Sequence, residues 1–451
     1  MFPRLVLFLF ATFSTVGLSV PLEEPRAALP VLPTEDSFYQ VPDNINDYPP
    51  GTIINYRKPP APIAAFGISP VNLKSTWQIL YRTNDNFDKA TATVLTVLVP
   101  YKADYTKVLS YQIAEDAAYI GCAPSYAFQF ASATGGPLGT IVTQAELLLI
   151  EAALEQGWVV ISPDHEGPKA AYLANKLAGY ATLDGIRAAI NSANFTGIAT
   201  DPRVAMWGYS GGSIASAAAA ELQQSYAPEL RIAGAALGGT VPKIPSVIKS
   251  INKSALAGII PAGMIGLGQQ YPELGAILDA GVLPKYKAKF DAVAKQCFVT
   301  DVLSFFSQDV VSMLKDPAIL DQEPAKSILE ENALGKHSPS IPIFIYKSIQ
   351  DQVSPIKDTD DLVKTYCSGG TKVQYNRDLI SEHGSLAIVG AGKALSWLID
   401  IMNGKGAPSQ CKTNNVVSSL LDLRGLATLS TALIEALLDL AGKPVGPVII
   451  G

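Results

Sequence analysis

The chain has 451 residues, enough for one large α/β domain with insertions or for two domains. With 48 % hydrophobic and 16 % charged residues it can bury a sizeable core, which excludes disorder over most of its length. A net charge of −6 excludes the basic face that a nucleic-acid partner needs.

The first residues carry the pattern of a signal peptide. Arg4 supplies the positive n-region, Leu5 to Phe13 the apolar h-region, and Gly17 and Ser19 a cleavage site before Pro21. The h-region is too short to span a bilayer, so no stable membrane insertion is expected and residues 1–19 are taken as removed. In an extracellular setting the four cysteines, Cys122, Cys297, Cys367 and Cys411, are expected to form two disulfides. Spacing alone does not choose among the three pairings. No two cysteines are close and only three histidines exist, so neither a metal nor a cofactor is expected. Asn194-Phe195-Thr196 and Asn252-Lys253-Ser254 are glycosylation sequons.

Residues 20–60 are rich in Pro, Asp and Asn and read as an arm over the surface. Strand character starts at Ser75. Trp77 to Arg82 alternates, Ala90 to Val99 is long and β-branched, and Asn84-Asp85-Asn86 between them is turn chemistry, which predicts a hairpin. Lys107 to Ile113 is the next strand and runs into Ala114-Glu115-Asp116. A helix is predicted over 143–156, a buried strand over Trp158 to Ser162, and a helix over 183–193. Strands alternating with helices imply right-handed βαβ units and a mostly parallel sheet with helices on both faces.

Arg203-Val204-Ala205-Met206 is a short buried strand, and Ser213 to Leu222 is a strong helix former. Trp207-Gly208-Tyr209-Ser210-Gly211-Gly212 lies between them, where a G-x-S-x-G nucleophile elbow belongs. Such a turn lifts the serine oxygen above the sheet and points a helix N-terminus at a developing oxyanion. Ile232 to Gly239 is another strand. The rhythm then stops, and residues 241–340 read as a helical cap inserted into the sheet. Within it Ala255 to Gly268 has no charge, so it must be buried or cover an apolar pocket. The sheet resumes at Ile341 to Tyr346, Lys372 to Tyr375 reads as the last strand, and Ser385 to Ile401 as the closing helix. The core is thus expected at 61–240 and 341–405, with a tail over 406–451 that holds an amphipathic stretch from Leu426 to Leu440.

A serine hydroxyl needs a base to act as a nucleophile. The expected chain order is serine, acid, histidine, with the histidine on a loop after the last strand. His383 meets both demands; His165 precedes the serine, and His337 lies in the return from the cap. The acid must orient the imidazole and stabilise the imidazolium. Asp351 sits just past the strand that should carry it, ahead of Asp358, Asp360, Asp361 and Asp378. One oxyanion donor should be the backbone of Gly211, and the second should come from the loop around Asp116.

These residues resemble a known family. Tyr111-Gln112, Glu115-Asp116-Ala117, Cys122-Ala123-Pro124-Ser125-Tyr126 and Ser162 to Pro168 match it, as do Met206 to Gly212, Tyr226 to Leu230, Asp351 to Pro355 and Ile388-Val389-Gly390. Over nearly the whole mature chain they are similar to the secreted fungal lipases of the Candida antarctica lipase A type. The resemblance implies an α/β-hydrolase fold with a large helical cap insertion and a triad of Ser210, Asp351 and His383. It also implies oxyanion donors from the backbones of Asp116 and Gly211, and disulfides Cys122–Cys297 and Cys367–Cys411. It implies hydrolysis of triacylglycerols and other carboxylic esters, with acyl transfer to alcohols in several members. Glu382 departs from the pattern, in a loop that varies between members.

The expected protein is a secreted monomer that meets lipid or ester substrate at an oil–water interface. A serine peptidase or small-ester esterase of the same fold is the alternative enzyme, but the apolar cap favours lipid. A catalytically dead hydrolase-fold binding protein would generally lose a triad member, and all three are present.

Overall fold

The computed structural model describes residues 29–66, 69–132, 139–405, 408–440 and 442–447. The signal-peptide expectation therefore lies outside the described residues. A ten-stranded sheet runs through the molecule. Its strands are β1 (Ile53–Arg57), β2 (Ser75–Asn84), β3 (Ala90–Val99), β4 (Asp104–Gln112), β5 (Trp158–Pro163), β6 (Arg203–Tyr209), β7 (Ile232–Gly238), β8 (Ile343–Ser348), β9 (Val373–Asp378) and β10 (Lys412–Val416). In space they follow the order β1-β2-β3-β5-β4-β6-β7-β8-β9-β10. β1, β2 and β3 pair antiparallel, β3 pairs antiparallel with β5, and every later pairing is parallel.

The predicted hairpin pairs Asn84 with Ala90. Its turn is held by Asp85, whose carboxylate accepts the backbone N–H groups of Phe87 at 2.8 Å and Lys89 at 3.0 Å. Such Asx chemistry satisfies the turn's donors locally. Along each central strand the side chains alternate between two apolar layers. In β6, Ala205 and Trp207 pack into one layer, and Val204 and Met206 into the other. The first layer is covered by α1 (Ile141–Leu154), the second by α2 (Asn175–Asn191) and α3 (Gly211–Tyr226). This doubly covered, mostly parallel sheet, with β4 and β5 exchanged in order, is the α/β-hydrolase arrangement.

Between β7 and β8 the chain leaves the sheet and forms α4 (Ile244–Ile251), α5 (Ile259–Gln270), α6 (Pro272–Gly281), α7 (Pro284–Val293), α8 (Phe298–Ser304) and α9 (Ala325–Glu331). All of these helices except α8 share an apolar cluster of their own, which Tyr172 and Ile214 of the core join. After β8 come α10 (Ile356–Ser368), α11 (His383–Val389), α12 (Ala391–Met402) and α13 (Leu423–Leu440). α12 completes the first layer, with Leu429 of α13 packed into it, and α10 completes the second.

Four expectations need correction. β9 is not the last strand: Lys412–Val416 pairs parallel to it as β10. That segment is polar and mostly exposed, so it lacks the alternation that marks a half-buried strand. The 20–60 arm is not strand-free, because β1 pairs with β2 at the other edge. The predicted closing helix is two helices, α11 and α12, bent by 46°. The break is at Gly390, where an added Cβ would lie 2.5 Å from the Tyr346 ring. Finally, α2 begins at Asn175, eight residues earlier than expected, with Gly179 allowing close approach to the Ala218 backbone.

Candidate active site

The turn between β6 and α3 is the tightest place in the sheet. Ser210 has φ +48° and ψ −119°, a strained conformation for a residue with a side chain. Its neighbours leave no room for one. A Cβ on Gly208 would lie 2.2 Å from the Gly212 carbonyl oxygen, and one on Gly212 would lie 2.0 Å from that of Gln112. The strand-to-helix crossing therefore demands glycine at both positions. β4 supports it from the side: Ser216 of α3 donates to the Gln112 side chain at 2.6 Å, and Gln112 donates to Ser110 at 2.7 Å.

Three residues from separate elements meet here. His383, at the start of α11, places Nε2 2.8 Å from Ser210 Oγ. Its Nδ1 lies 2.6 Å from Asp351 Oδ2, in the turn between β8 and α10. The imidazole is fixed from its backbone as well. The His383 N–H donates to Gln352 Oε1 at 3.0 Å, and the Tyr209 hydroxyl donates to the His383 carbonyl. The Asp351 side chain is fully buried, and its Oδ1 accepts the backbone N–H groups of Val353 and Ser354, each at 2.8 Å. Burial pushes its carboxyl upward, but the His383 charge and hydrogen bond, together with Lys347, outweigh burial and hold it well below the usual carboxylate range. Lys347 is a residue that the sequence reading missed; its ammonium is 2.7 Å from Asp351 Oδ2. A lysine inside an otherwise apolar strand, four residues before the acid, was the available signal.

The other two histidines stand apart. His165 is buried and bonds the Ile113 carbonyl through Nε2 at 2.9 Å. Burial holds it down to about 4, so it stays neutral. His337 is exposed, and its backbone N–H donates to Glu221 at 3.1 Å.

Asp116 and Gly211 are brought together. Asp116 has φ +47°, and a Cβ on Gly211 would lie 1.8 Å from Asp116 Oδ1. Burial raises the Asp116 carboxyl to about 7, with the Tyr172 hydroxyl partly opposing the shift. Tyr172 and Leu173 also line two cavities. The smaller reaches Gly211 and Ile214. The larger lies in the insertion and is lined by apolar side chains such as Ile251, Ile260 and Met264.

Cys122 is bonded to Cys297, with a Cα–Cα distance of 5.6 Å, and Cys367 to Cys411, at 6.1 Å. The first ties the loop after β4 to the insertion, and the second ties the end of α10 to β10. Asn194 is exposed. The Asn252 amide donates to Asp309 at 2.8 Å and its oxygen accepts the Val310 N–H at 2.8 Å. Among the described residues no group of three or more His, Cys, Asp or Glu is placed to hold a metal ion. No single described helix is long and apolar enough to cross a membrane.

A family model described as secretory lipase matches residues 132–410. The chain belongs to the secretory lipase family. It is 49 % identical to Lipase A of Arthroderma benhamiae, over 93 % of this chain and 90 % of that one. It is 36 % identical to Lipase 1 of Candida albicans, over 92 % and 90 %. The X-ray structure of Candida antarctica lipase A in its closed state superposes with a TM-score of 0.81 at 30 % identity, covering 93 % of this chain and all of that one. The chain is a lipase, a hydrolase of carboxylic esters, and the family is a secretory one.

Proposed function

We propose that this lipase works through a covalent acyl-enzyme on Ser210. The observation that carries the reading is the unbroken chain from Ser210 Oγ through His383 to Asp351, at 2.8 and 2.6 Å. His383 Nε2 takes the proton from Ser210 as its oxygen attacks the ester carbonyl. Asp351 keeps the proton-bearing nitrogen on its own side and balances the imidazolium. The backbone N–H groups of Gly211 and Asp116 receive the oxyanion. His383 then delivers the proton to the departing alcohol. Water, activated by the same imidazole, releases the acid; an alcohol in its place gives acyl transfer.

The insertion between β7 and β8 serves as the cap over this site, and its apolar cavity takes the acyl chain. Each buried CH₂ contributes about 0.8 kcal/mol, so a chain of about ten carbons gains several kcal/mol. Aggregated lipid is a fitting source. α13 presents Leu423, Ile434 and Leu437 to solvent, and Ile380 and Ile388 are exposed on either side of His383. Residues 1–19 direct export, and Asn194 and Asn252 are the sequons offered to glycosylation. No observation favours a peptidase, because the cavity offers no charged group to hold a chain terminus.

Fluorophosphonate labelling tests the core of this reading. A single adduct on the Ser210 peptide, absent in Ser210→Ala, is expected. Labelling elsewhere, or ester hydrolysis that survives Ser210→Ala, overturns it.

A further inference from the structure

Lys347 sits on β8 with its side chain fully buried, against an equally buried Asp351. Its ammonium reaches Asp351 Oδ2 at 2.7 Å, the same oxygen that meets His383 Nδ1 at 2.6 Å. A second bond runs to the Thr240 carbonyl at 2.9 Å, just past the end of β7. Neighbouring positions of β8 carry Ile343, Phe344, Ile345 and Tyr346 in the apolar layers. Burying an ammonium among them costs desolvation that an apolar side chain would avoid. The proton transfers from Ser210 through His383 do not call for a second cation. Its placement on the shared oxygen does have a chemical consequence.

We propose that Lys347 is a positioning residue of the ester hydrolysis: it holds Asp351 as a buried carboxylate, divides Oδ2 with the imidazole, and so keeps His383 available as a base in acidic medium. The proposal rests on the Ser210–His383–Asp351 reading above.

The sign follows from charge. At low pH the Asp351–His383 unit gains a proton, and whichever atom takes it, the unit becomes more positive. A cation on Asp351 opposes that gain. Without the cation, the proton enters at higher pH, and a protonated imidazole cannot accept the proton of Ser210. The acid limb of the rate profile must then move upward. A unit charge about 5 Å away at an effective dielectric of about 20 moves such a limb by roughly two pH units.

The surrounding groups do not cancel this effect. From α10, Asp358 faces Lys347, with one oxygen on Lys243 at 3.3 Å and the other buried without a hydrogen-bond partner. From β6, the Tyr209 ring stands 5.4 Å from His383, and burial holds its hydroxyl protonated. From α11, the Glu382 carboxylate is engaged in capping its own helix. From β9, Asp378 is engaged by the backbone N–H groups of Ser381 at 2.9 Å and Ser419 at 2.6 Å. Burial pulls the Lys347 ammonium down, and Asp351 is the main group that opposes this.

The experiment measures kcat/KM against pH with a soluble short-chain p-nitrophenyl ester. It compares the full chain with Lys347→Gln, Lys347→Arg and Asp358→Asn, with a separate aliquot of each labelled with a fluorophosphonate and mapped. Lys347→Gln should move the acid limb up by about two pH units, and Lys347→Arg should keep it near its original place. Asp358→Asn removes an anion facing Lys347 and should move the limb down by a few tenths. A limb that stays in place in Lys347→Gln, with activity lost equally at every pH, overturns the proposal. Should Lys347→Gln not fold, Asp358→Asn decides: a downward shift supports the proposal, and no shift or an upward one overturns it. Failure of the unaltered chain to label at Ser210 is a separate result and strikes the triad reading instead.

Discussion

The elbow and the inserted helices solve opposite problems. At the elbow, backbone meets backbone: Gly212 faces the Gln112 carbonyl with no room for a methyl group, and Ser210 is held at positive φ. In the insertion, side chain meets side chain, and Ile251, Ile260, Met264 and Leu278 fill one apolar cluster. Backbone contacts of the first kind admit no substitution, whereas apolar packing tolerates exchange at roughly constant volume. The elbow is thus rigid and the insertion adaptable, so on the proposed reading, in which the insertion walls the acyl site, a change in ester preference should arise in the insertion.

The largest expected effect lies at the rigid end. Ser210→Ala should lower kcat by roughly 10⁴–10⁶-fold while the fold, read by circular dichroism, persists. His383→Ala should match it, because losses within one catalytic unit do not add. Asp351→Asn should also keep the fold and lose activity, since an amide favours the wrong imidazole tautomer. Loss of turnover in His165→Ala with retention in His383→Ala would reverse the assignment.

Gly212→Ala should come next. The added methyl must displace the Gln112 carbonyl and with it β4, so both melting temperature and kcat should drop, the latter by 10²-fold or more. Wild-type kinetics in this variant would mean that the turn is far softer than its geometry.

At the adaptable end the effect should be smaller and selective. Ile260→Asp puts a carboxylate into the wall of the large cavity. Octanoate turnover should fall about ten- to a hundred-fold relative to acetate turnover. Equal loss with both esters would remove this cavity from the acyl site.

The contrast also governs what could be read from the chain. Wherever a local rule acts, the sequence was legible: alternation for β2, a long β-branched run for β3, the glycines of the elbow, and chain order for Asp351 and His383. It failed where tertiary context supplies the reason. β10 is a polar edge strand ordered by pairing with β9 and by the Cys367–Cys411 bridge. Gly390 breaks a helix because Tyr346 crowds it, which no periodicity reveals. Lys347 looks like a strand lysine until the fold brings Asp351 onto it.

The smallest expected effect is a pH dependence of stability, shared by the core and the insertion. In the core, burial raises Asp116 and Asp164 to about 7 and Glu146 to about 8, each partly opposed by hydrogen bonds from Tyr172, Ser125, Tyr111 or the Ala114 N–H. In the insertion, burial alone raises Asp301 to about 8. Each group keeps its proton in the folded chain at a pH where the unfolded chain, with an ordinary value near 4, has released it. Their stabilisation is complete below about 4 and is lost as pH rises toward 7 or 8. His165 runs the other way. It is buried neutral, so stability grows as pH climbs from about 4 to its unfolded value near 6.5, and no further. Asp351 is held low, so its contribution changes only in acid. Between about 6.5 and 8 the raised carboxyls therefore act unopposed by these two, and Tm should fall as pH rises. Asp164→Asn keeps acceptor chemistry for the Ser125 N–H, which Asp164 takes at 2.8 Å, and removes one titration. Its Tm should decline less steeply over the same window, by roughly one proton's share. A wild-type Tm that rises from pH 6.5 to 8 would show that these carboxyls are ionised throughout and matched by charges elsewhere in the fold.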